Sequence, residues 1–191
     1  TDSGGLSYEE AVTFEVNDLI DEMPIDNSLS LLDFEWTNIF GSNNYDYLRD
    51  HGMTTGSDGS IYIAGEIGGD LDEQINSGEN DAFIIKYNPD GTREWTKLLG
   101  TSGSDEGYAL TTGSDGSIYI AGYMEGDLDG QVNSGERDVF IRKYNADGIK
   151  EWTRFLGTDR DDEGYALTTG SDGSIYIAGM TEGDLDGQTN N

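Results

Sequence analysis

An internal repeat constrains the fold of this chain more than any other feature. The nine residues SDGSIYIAG begin at Ser57, Ser114 and Ser171, so the sequence repeats with a period of 57 residues. Residues 105–122 recur letter for letter at 162–179. A fixed period of this length is typical of solenoids, propellers and other arrays, in which each repeat is one structural unit. A site carried by one repeat is therefore expected to recur in the others.

Each complete repeat contains four short strand-like segments separated by turn signals. In the second copy, strands are predicted at 106–113, 117–124, 138–145 and 151–157. Asp-Gly pairs between two such segments favour tight hairpins, because glycine readily takes the positive φ that these turns need. Four antiparallel strands per unit are typical of a β-propeller blade. Apolar residues on both strand faces suit a sheet packed between neighbours.

The sequence therefore predicts an all-β fold, an incomplete β-propeller of four-stranded antiparallel blades. Residues 33–191 would hold one lone strand (33–41), two full blades and one half blade. Trp36, Trp95 and Trp152 mark one slot at spacings of 59 and 57, which places two extra residues in the stretch 41–56. Propellers close with about four to eight blades, so more repeats or a second chain would complete the ring. A β-helix solenoid is the alternative, although its coils are usually shorter.

Composition narrows the possible partners. The chain has 39 acidic and 10 basic residues and a net charge of −29, which argues against nucleic-acid binding and favours cations such as calcium. The same charge also keeps a surface protein soluble. Without cysteine there is no disulfide framework, and no stretch approaches the ~20 apolar residues of a membrane helix. Because the chain has no signal peptide and stops within a repeated motif, we expect a fragment of a longer polypeptide.

Four sequence elements recur in the same order across residues 33–191. They are DG-IYIAG, GDLDGQ-NSGE, D-F-I-KYN-DG and EWT-LG. In this combination they resemble the SBBP family of bacterial β-propeller repeats. The resemblance implies a multi-bladed propeller in a large exported or surface protein, often beside adhesion modules. It supplies no catalytic residues.

Residues 1–24 differ from the repeats and resemble the closing strand and exit of a cadherin-like domain. A D-GGLS-like stretch precedes an alternating strand, and Val16, Asp18, Asp21 and Pro24 match the exit motif. The resemblance implies that Asp18 and Asp21 are candidate calcium ligands, although Ile20 stands where that family has an asparagine. Residues 25–32 are then a linker.

The long loop between the second and third strands of each repeat carries the candidate metal ligands. Calcium takes six to eight oxygen ligands from carboxylates, amides and backbone carbonyls in flexible loops. The glycine lies at the fourth instead of the sixth position, and no helix flanks the loop, so this is not an EF-hand. The alternative is a solvated loop with Asx-turns. The candidate ligands are Asp70, Asp72, Asn76 and Asp81 in one repeat, and Asp127, Asp129, Asn133 and Asp138 in the next.

No residue set in the sequence points to catalysis. The acidic cluster 159–163 contains carboxylates of the kind that glycosidases use, but a related cluster recurs in the preceding repeat, and turn carboxylates explain both. His51, the single histidine, occupies the slot of Tyr108 and Tyr165 and is expected to be a divergent strand residue. A polysaccharide-acting propeller would need residues unique to one blade, and none is evident from the repeats.

These observations predict a non-enzymatic extracellular or cell-surface module for adhesion or surface assembly, stabilised by calcium. One alternative is a structural spacer without a ligand. Another is a carbohydrate-binding propeller that uses exposed tyrosine or tryptophan side chains. The expected partners are calcium and a protein or glycan surface ligand. Self-association that completes the ring is a further possibility.

Overall fold

The computed structural model describes residues 11–16 and 34–190, and within these ranges all regular structure is β-strand. No helix in the described part is long and apolar enough to cross a membrane. The strands are β1 (Ala11–Val16), β2 (Phe34–Phe40), β3 (Asp46–Thr55), β4 (Ile61–Ile67), β5 (Asp81–Tyr87), β6 (Arg93–Leu99), β7 (Glu106–Thr112), β8 (Ile118–Met124), β9 (Asp138–Tyr144), β10 (Lys150–Leu156), β11 (Asp162–Thr169) and β12 (Ile175–Thr181).

The sheet order shows two runs of four consecutive strands that meet at their first members. An eight-stranded sheet has the order β10-β9-β8-β7-β3-β4-β5-β6, in which all neighbours are antiparallel except β3 and β7. These two strands pair in parallel at His51 and Ala109. The hairpins β1-β2 and β11-β12 form separate two-stranded sheets. This all-β arrangement fits an incomplete β-propeller. We call β3, β7 and β11, the first strands of successive repeats, the inner strands.

The strand positions agree with the sequence pattern. The four strands expected in the second repeat are β7 to β10, and the lone strand expected at 33–41 is β2. The Ser-Asp-Gly turns take the predicted form, because Gly59, Gly116 and Gly173 have φ of 81°, 79° and 83°. In the first of these turns the Asp58 carboxylate accepts the Ser60 backbone N–H at 3.0 Å, which stabilises the turn.

The core lies on both faces of the middle strands, as the apolar pattern indicated. Every residue of β5 and β8 is buried, and β4 is buried except for its first residue. One apolar cluster gathers side chains from β4, β5, β7, β8 and β9, and a second gathers side chains from β2, β4 and β5. The largest fully buried side chains include Phe83, Tyr87, Tyr123 and Phe140.

The repeated tryptophan links each unit to the next one. Trp36 on β2 stacks on Tyr87 with ring centroids 6.0 Å apart and covers Gly91 in the β5-β6 turn, where a Cβ would lie 2.6 Å from the indole. Trp95 on β6 covers Gly148 in the β9-β10 turn in the same way. Since a side chain at either turn glycine would collide with an indole ring, the tryptophan and the turn glycine are matched across the unit boundary.

Strand β12 is covered less than its counterparts. Tyr176 on β12 is 57% exposed, whereas Tyr62 on β4 and Tyr119 on β8 are 2% and 7% exposed. Strands β4 and β8 each pair with a third strand, β5 and β9. In the described residues β12 pairs only with β11, so its outer edge is open.

Candidate functional site

The inner strands carry a β-bulge at equivalent positions. In β7 the register shifts between Gly107 and Ala109, which leaves Tyr108 without a cross-strand partner. In β11 the same shift leaves Tyr165 unpaired. A bulge places an extra residue on one strand and redirects its side chain, and bulges are frequent beside functional sites. The two tyrosines therefore project from the same point of successive repeats.

The facing strand accommodates each bulge with a glycine. Gly122 pairs with Gly107, and a Cβ on Gly122 would overlap the carbonyl oxygen of Glu106 and lie 2.9 Å from its carbonyl carbon. Gly65 and Gly179 meet the facing backbone in the same way. The final glycine of the SDGSIYIAG repeat is thus required by a close backbone approach.

Strand β3 has a longer bulge than the other inner strands. Leu48 pairs with Gly65 and Met53 with Ile63, so the four residues 49–52 face a single residue of β4. In β7 the corresponding bulge places two residues opposite one. The two extra residues that the tryptophan spacing revealed therefore lie within this bulge.

The three bulges converge on one cleft. It has a volume of about 460 Å³. Its lining includes all three residues that project from the β3 bulge, the unpaired tyrosine of each of the other two bulges, and one glutamate of β11. We call it the bulge cleft, with Arg49, Asp50, His51, Tyr108, Glu163 and Tyr165 as its defining residues.

Arg49 is held at one side of the bulge cleft by two carboxylates and an aromatic ring. Its Nη2 lies 2.8 Å from Oε1 of Glu66 and also pairs with Glu106. The guanidinium carbon lies 5.2 Å from the centroid of the Tyr108 ring, within cation–π range. Burial, reinforced by the Glu106 charge, raises the pKa of Glu66 to about 7.

The two bulge tyrosines face each other across the repeat boundary. Their ring centroids are 5.4 Å apart with planes inclined at 49°. The Tyr108 hydroxyl donates to Oε2 of Glu163 at 3.2 Å, and Nη1 of Arg137 lies 2.7 Å from Oε1 of the same carboxylate. Burial raises the pKa of Tyr108, as do the nearby Glu106 and Glu163 carboxylates, so this phenol stays protonated near neutral pH. Tyr165 is 43% exposed and leaves much of its ring accessible.

In the acidic loops, the first predicted ligand of each loop bonds to its own backbone. Oδ1 of Asp70 accepts the N–H of Asn76 at 2.9 Å, and Oδ1 of Asp127 accepts the N–H of Asn133 at 2.8 Å. The amide nitrogen of Asn133 in turn donates to the carbonyl oxygen of Met124 at 2.7 Å. These are the local Asx-type bonds that the solvated-loop alternative predicts.

The second predicted ligand of each loop is engaged by cationic side chains. Asp129 forms ion pairs with Arg142 and Lys150. Asp72 pairs with Arg93, whose Nη1 lies 2.6 Å from its Oδ1. Both aspartates have positive φ, 48° for Asp72 and 53° for Asp129, so they occupy the left-handed position of the loop turn. Their oxygens therefore already contact positive groups of the chain itself.

The last predicted ligand of each loop is different, because it is buried and only half satisfied. Asp81 and Asp138 are 0% and 1% exposed. Each uses Oδ2 to accept a backbone N–H, from Ser77 at 3.0 Å and from Ser134 at 2.8 Å. Within the described residues Oδ1 of each has no hydrogen-bond partner. Burial raises the pKa of both carboxyls.

The loops therefore contribute unequally to any metal site. Asp81 and Asp138 keep an uncommitted oxygen, whereas the other four loop aspartates bond to the chain's own donors. Across the ranges 11–16 and 34–190, no group of three or more histidine, cysteine, aspartate or glutamate side chains is arranged to hold a metal ion. Asp18 and Asp21, the candidates of the cadherin-like segment, lie outside the described residues.

Sequence reasoning did not identify the bulge cleft. It placed His51 correctly in the slot of Tyr108 and Tyr165, and it located two extra residues in the stretch 41–56. The same spacing of 59 instead of 57 was the available signal, because an insertion within one inner strand gives that repeat residues that the others lack. Arg49 and Asp50 are those residues.

Two family profiles match adjacent parts of the chain. Residues 94–127 match SBBP, described as a beta-propeller repeat, and residues 56–94 match DUF5122, a beta-propeller domain of unknown function. The chain thus carries β-propeller repeats, as the sequence elements indicated.

Two relatives share part of this sequence. The chain is 34% identical over 147 residues to "Regulatory protein FlaEY" of Caulobacter vibrioides, which covers 70% of this chain and 15% of that protein. It is 30% identical over 116 residues to "Uncharacterized WD repeat-containing protein L264" of Acanthamoeba polyphaga mimivirus, which covers 51% of this chain and 8% of that protein. The chain spans less than a sixth of either relative.

Proposed function

We propose that each 57-residue repeat forms one four-stranded propeller blade, and that the chain is a non-enzymatic extracellular or cell-surface module for adhesion or surface assembly. The observation that carries the proposal is the repeated contact between units. Trp36 and Trp95 each cover the turn glycine of the following repeat, and the inner strands β3 and β7 pair directly. Units joined in this way form a stiff array that presents one set of loops at each end.

The carboxylates of the bulge cleft support a non-enzymatic role. Glu66 and Glu106 share Arg49, and Glu163 pairs with Arg137. A carboxylate that serves as general acid or base needs a proton-transfer geometry toward a substrate. Here the glutamates are committed to arginines, which suits a rigid binding surface better than proton transfer.

The cellular part of the proposal is supported by the acidic surface and the absence of cysteine, both of which fit an exported bacterial protein. It is tested by labelling intact cells of the source organism with antibodies raised against this chain, before and after treatment with an external protease. We expect labelling of intact cells that the protease removes. Labelling that needs permeabilised cells would contradict a surface location.

Calcium remains the proposed stabilising ion, and the buried carboxylates at the repeat junctions are what favours it. Burial raises the pKa of Asp105, and the Asp81 charge adds to this; burial raises that of Asp138, and the Asp162 charge adds to it. Each junction thus brings two buried carboxyls together. A divalent cation would relieve this repulsion and use the free Oδ1 atoms, completing its six to eight ligands with backbone oxygens and water.

Thermal unfolding in EDTA, calcium and magnesium tests the calcium proposal. Binding to the folded state alone raises its stability by mass action. We expect calcium, and not magnesium, to raise the Tm, and the rise to disappear in the double variant Asp81→Asn/Asp138→Asn. The control variant Asp127→Asn, whose carboxylate bonds to its own loop, should keep the rise. Coincident curves in all three buffers would remove calcium and favour the structural-spacer alternative.

Self-association is the last part of the proposal. The open edge of β12 and its exposed Tyr176 provide a surface that a strand from a second copy would cover. Sedimentation velocity over a range of concentrations measures this directly. A concentration-dependent increase in mass would support it, and a monomer at all concentrations would exclude it for this chain.

A further inference from the structure

We propose that the bulge cleft is a binding site for a neutral carbohydrate. The inference goes beyond the scaffold role, and it holds whether or not the chain lies at the cell surface. It depends on three features of the cleft: its aromatic faces, the way its charges are already paired, and residues that only one repeat supplies.

The first feature is the aromatic lining. Tyr108 and Tyr165 bring two ring faces to the cleft 5.4 Å apart and inclined to each other, and Tyr165 is 43% exposed. Aromatic rings contribute large contact areas and, in tyrosine, a polar hydroxyl at the ring end. The volume of about 460 Å³ falls within the range of about 300–1,000 Å³ that is typical of small-ligand sites. The apolar face of a pyranose ring can lie against such a tyrosine.

The second feature is the state of the charges, which selects against charged ligands. The carboxylates of Glu66, Glu106 and Glu163 already pair with Arg49 or Arg137, so a cationic ligand would have to displace a resident arginine. An anionic ligand would approach a chain of net charge −29. A neutral ligand avoids both penalties.

The third feature is the mixture of donors and acceptors at the mouth of the cleft. Asp50 and His51 are exposed, and within the described residues neither side chain makes a hydrogen bond or ion pair. A carboxylate accepts hydrogen bonds, an imidazole can do both, and the nearby tyrosine hydroxyls do both as well. Sugar hydroxyls are themselves donors and acceptors, so they match this set without a charge of their own.

The extra residues of β3 make this site single instead of repeated. The bulges of β7 and β11 each leave one unpaired tyrosine, whereas the bulge of β3 adds Arg49 and Asp50 and replaces the tyrosine with His51. The three repeats thus contribute different residues to one cleft. This is the residue set unique to one repeat that the sequence pattern did not reveal.

An array of neutral and acidic glycans probed with the labelled 191-residue chain tests the proposal, followed by calorimetric titration of the neutral oligosaccharide that binds best. Tyr165→Ala should weaken binding about tenfold, because it removes the accessible ring face. Tyr176→Ala removes a tyrosine of similar exposure on the neighbouring strand outside the cleft and should leave affinity within about twofold. Asp50→Ala changes a side chain without structural contacts and should also weaken binding, which guards against loss of folding as the cause.

Three results would overturn the inference. One is that no neutral glycan binds, while antibody labelling of intact cells can still succeed, so the two proposals fail separately. A second is binding restricted to acidic glycans. The third is a neutral glycan that binds equally well to the wild-type chain, the Tyr165→Ala variant and the Asp50→Ala variant.

Discussion

The substitution Gly122→Ala tests whether the inner-strand bulge is built as the structure shows. The added methyl would lie 2.9 Å from the carbonyl carbon of Glu106 and 3.1 Å from the Cα of Gly107, and it would overlap the carbonyl oxygen of Glu106. All three obstacles are backbone atoms, so no side-chain rotation can relieve the contact. Overpacking of a well-packed site costs typically 1–3 kcal/mol, and we expect about 3 kcal/mol here.

Urea unfolding followed by tryptophan fluorescence measures this loss. With an m-value of about 2 kcal/mol per M, 3 kcal/mol corresponds to a decrease of roughly 1.5 M in the midpoint. The matched control is Gly130→Ala, where φ is 76° but no heavy atom lies within 4 Å of the added Cβ. It should cost only the backbone strain of about 1 kcal/mol, or roughly 0.5 M. Equal midpoints for the two variants would refute the close approach of β7 and β8.

Two further predictions concern charged groups. Burial raises the pKa of Glu66 to about 7, above its ordinary value of 4.5, so its protonated form favours the fold; this stabilisation, at most about 3 kcal/mol, is complete below about pH 4.5 and is lost as pH rises through about 7. Urea midpoints measured across this window should show the loss, and Glu66→Gln should remove it. Asp129→Ala leaves the buried Arg142 without its carboxylate and should cost about 3 kcal/mol in urea unfolding, against about 1 kcal/mol or less for Asp127→Ala. Equal losses in the last two variants would contradict the buried pair.

Much of the architecture could be predicted because it is written in local signals. Asp-Gly turns, alternating apolar runs and the recurring tryptophans located β2 and the strands of the second repeat within one residue. These features depend on φ preferences and side-chain alternation, which short stretches of sequence encode directly. The divergent start of the first repeat was harder, yet the spacing of Trp36 and Trp95 still located its insertion.

The site was not predictable to the same degree, since it depends on contacts between repeats. The partner of Asp129 is Arg142, 13 residues away on β9, and that of Glu163 is Arg137 on the preceding unit. Loop composition cannot distinguish a carboxylate that pairs with an arginine from one that awaits a metal ion. Nor does strand alternation reveal a bulge, because a bulge is a relation between two strands.

Proton NMR of the tyrosine rings gives the most direct test of the central claim, that bulges of successive repeats meet in one cleft. With tyrosine-selective labelling, the ring signals of Tyr108 and Tyr165 can be assigned from Tyr108→Phe and Tyr165→Phe variants. The account predicts a nuclear Overhauser cross-peak between these two rings, whose centroids lie 5.4 Å apart. If both rings are assigned in the folded protein and no cross-peak connects them, the bulge cleft does not exist in solution.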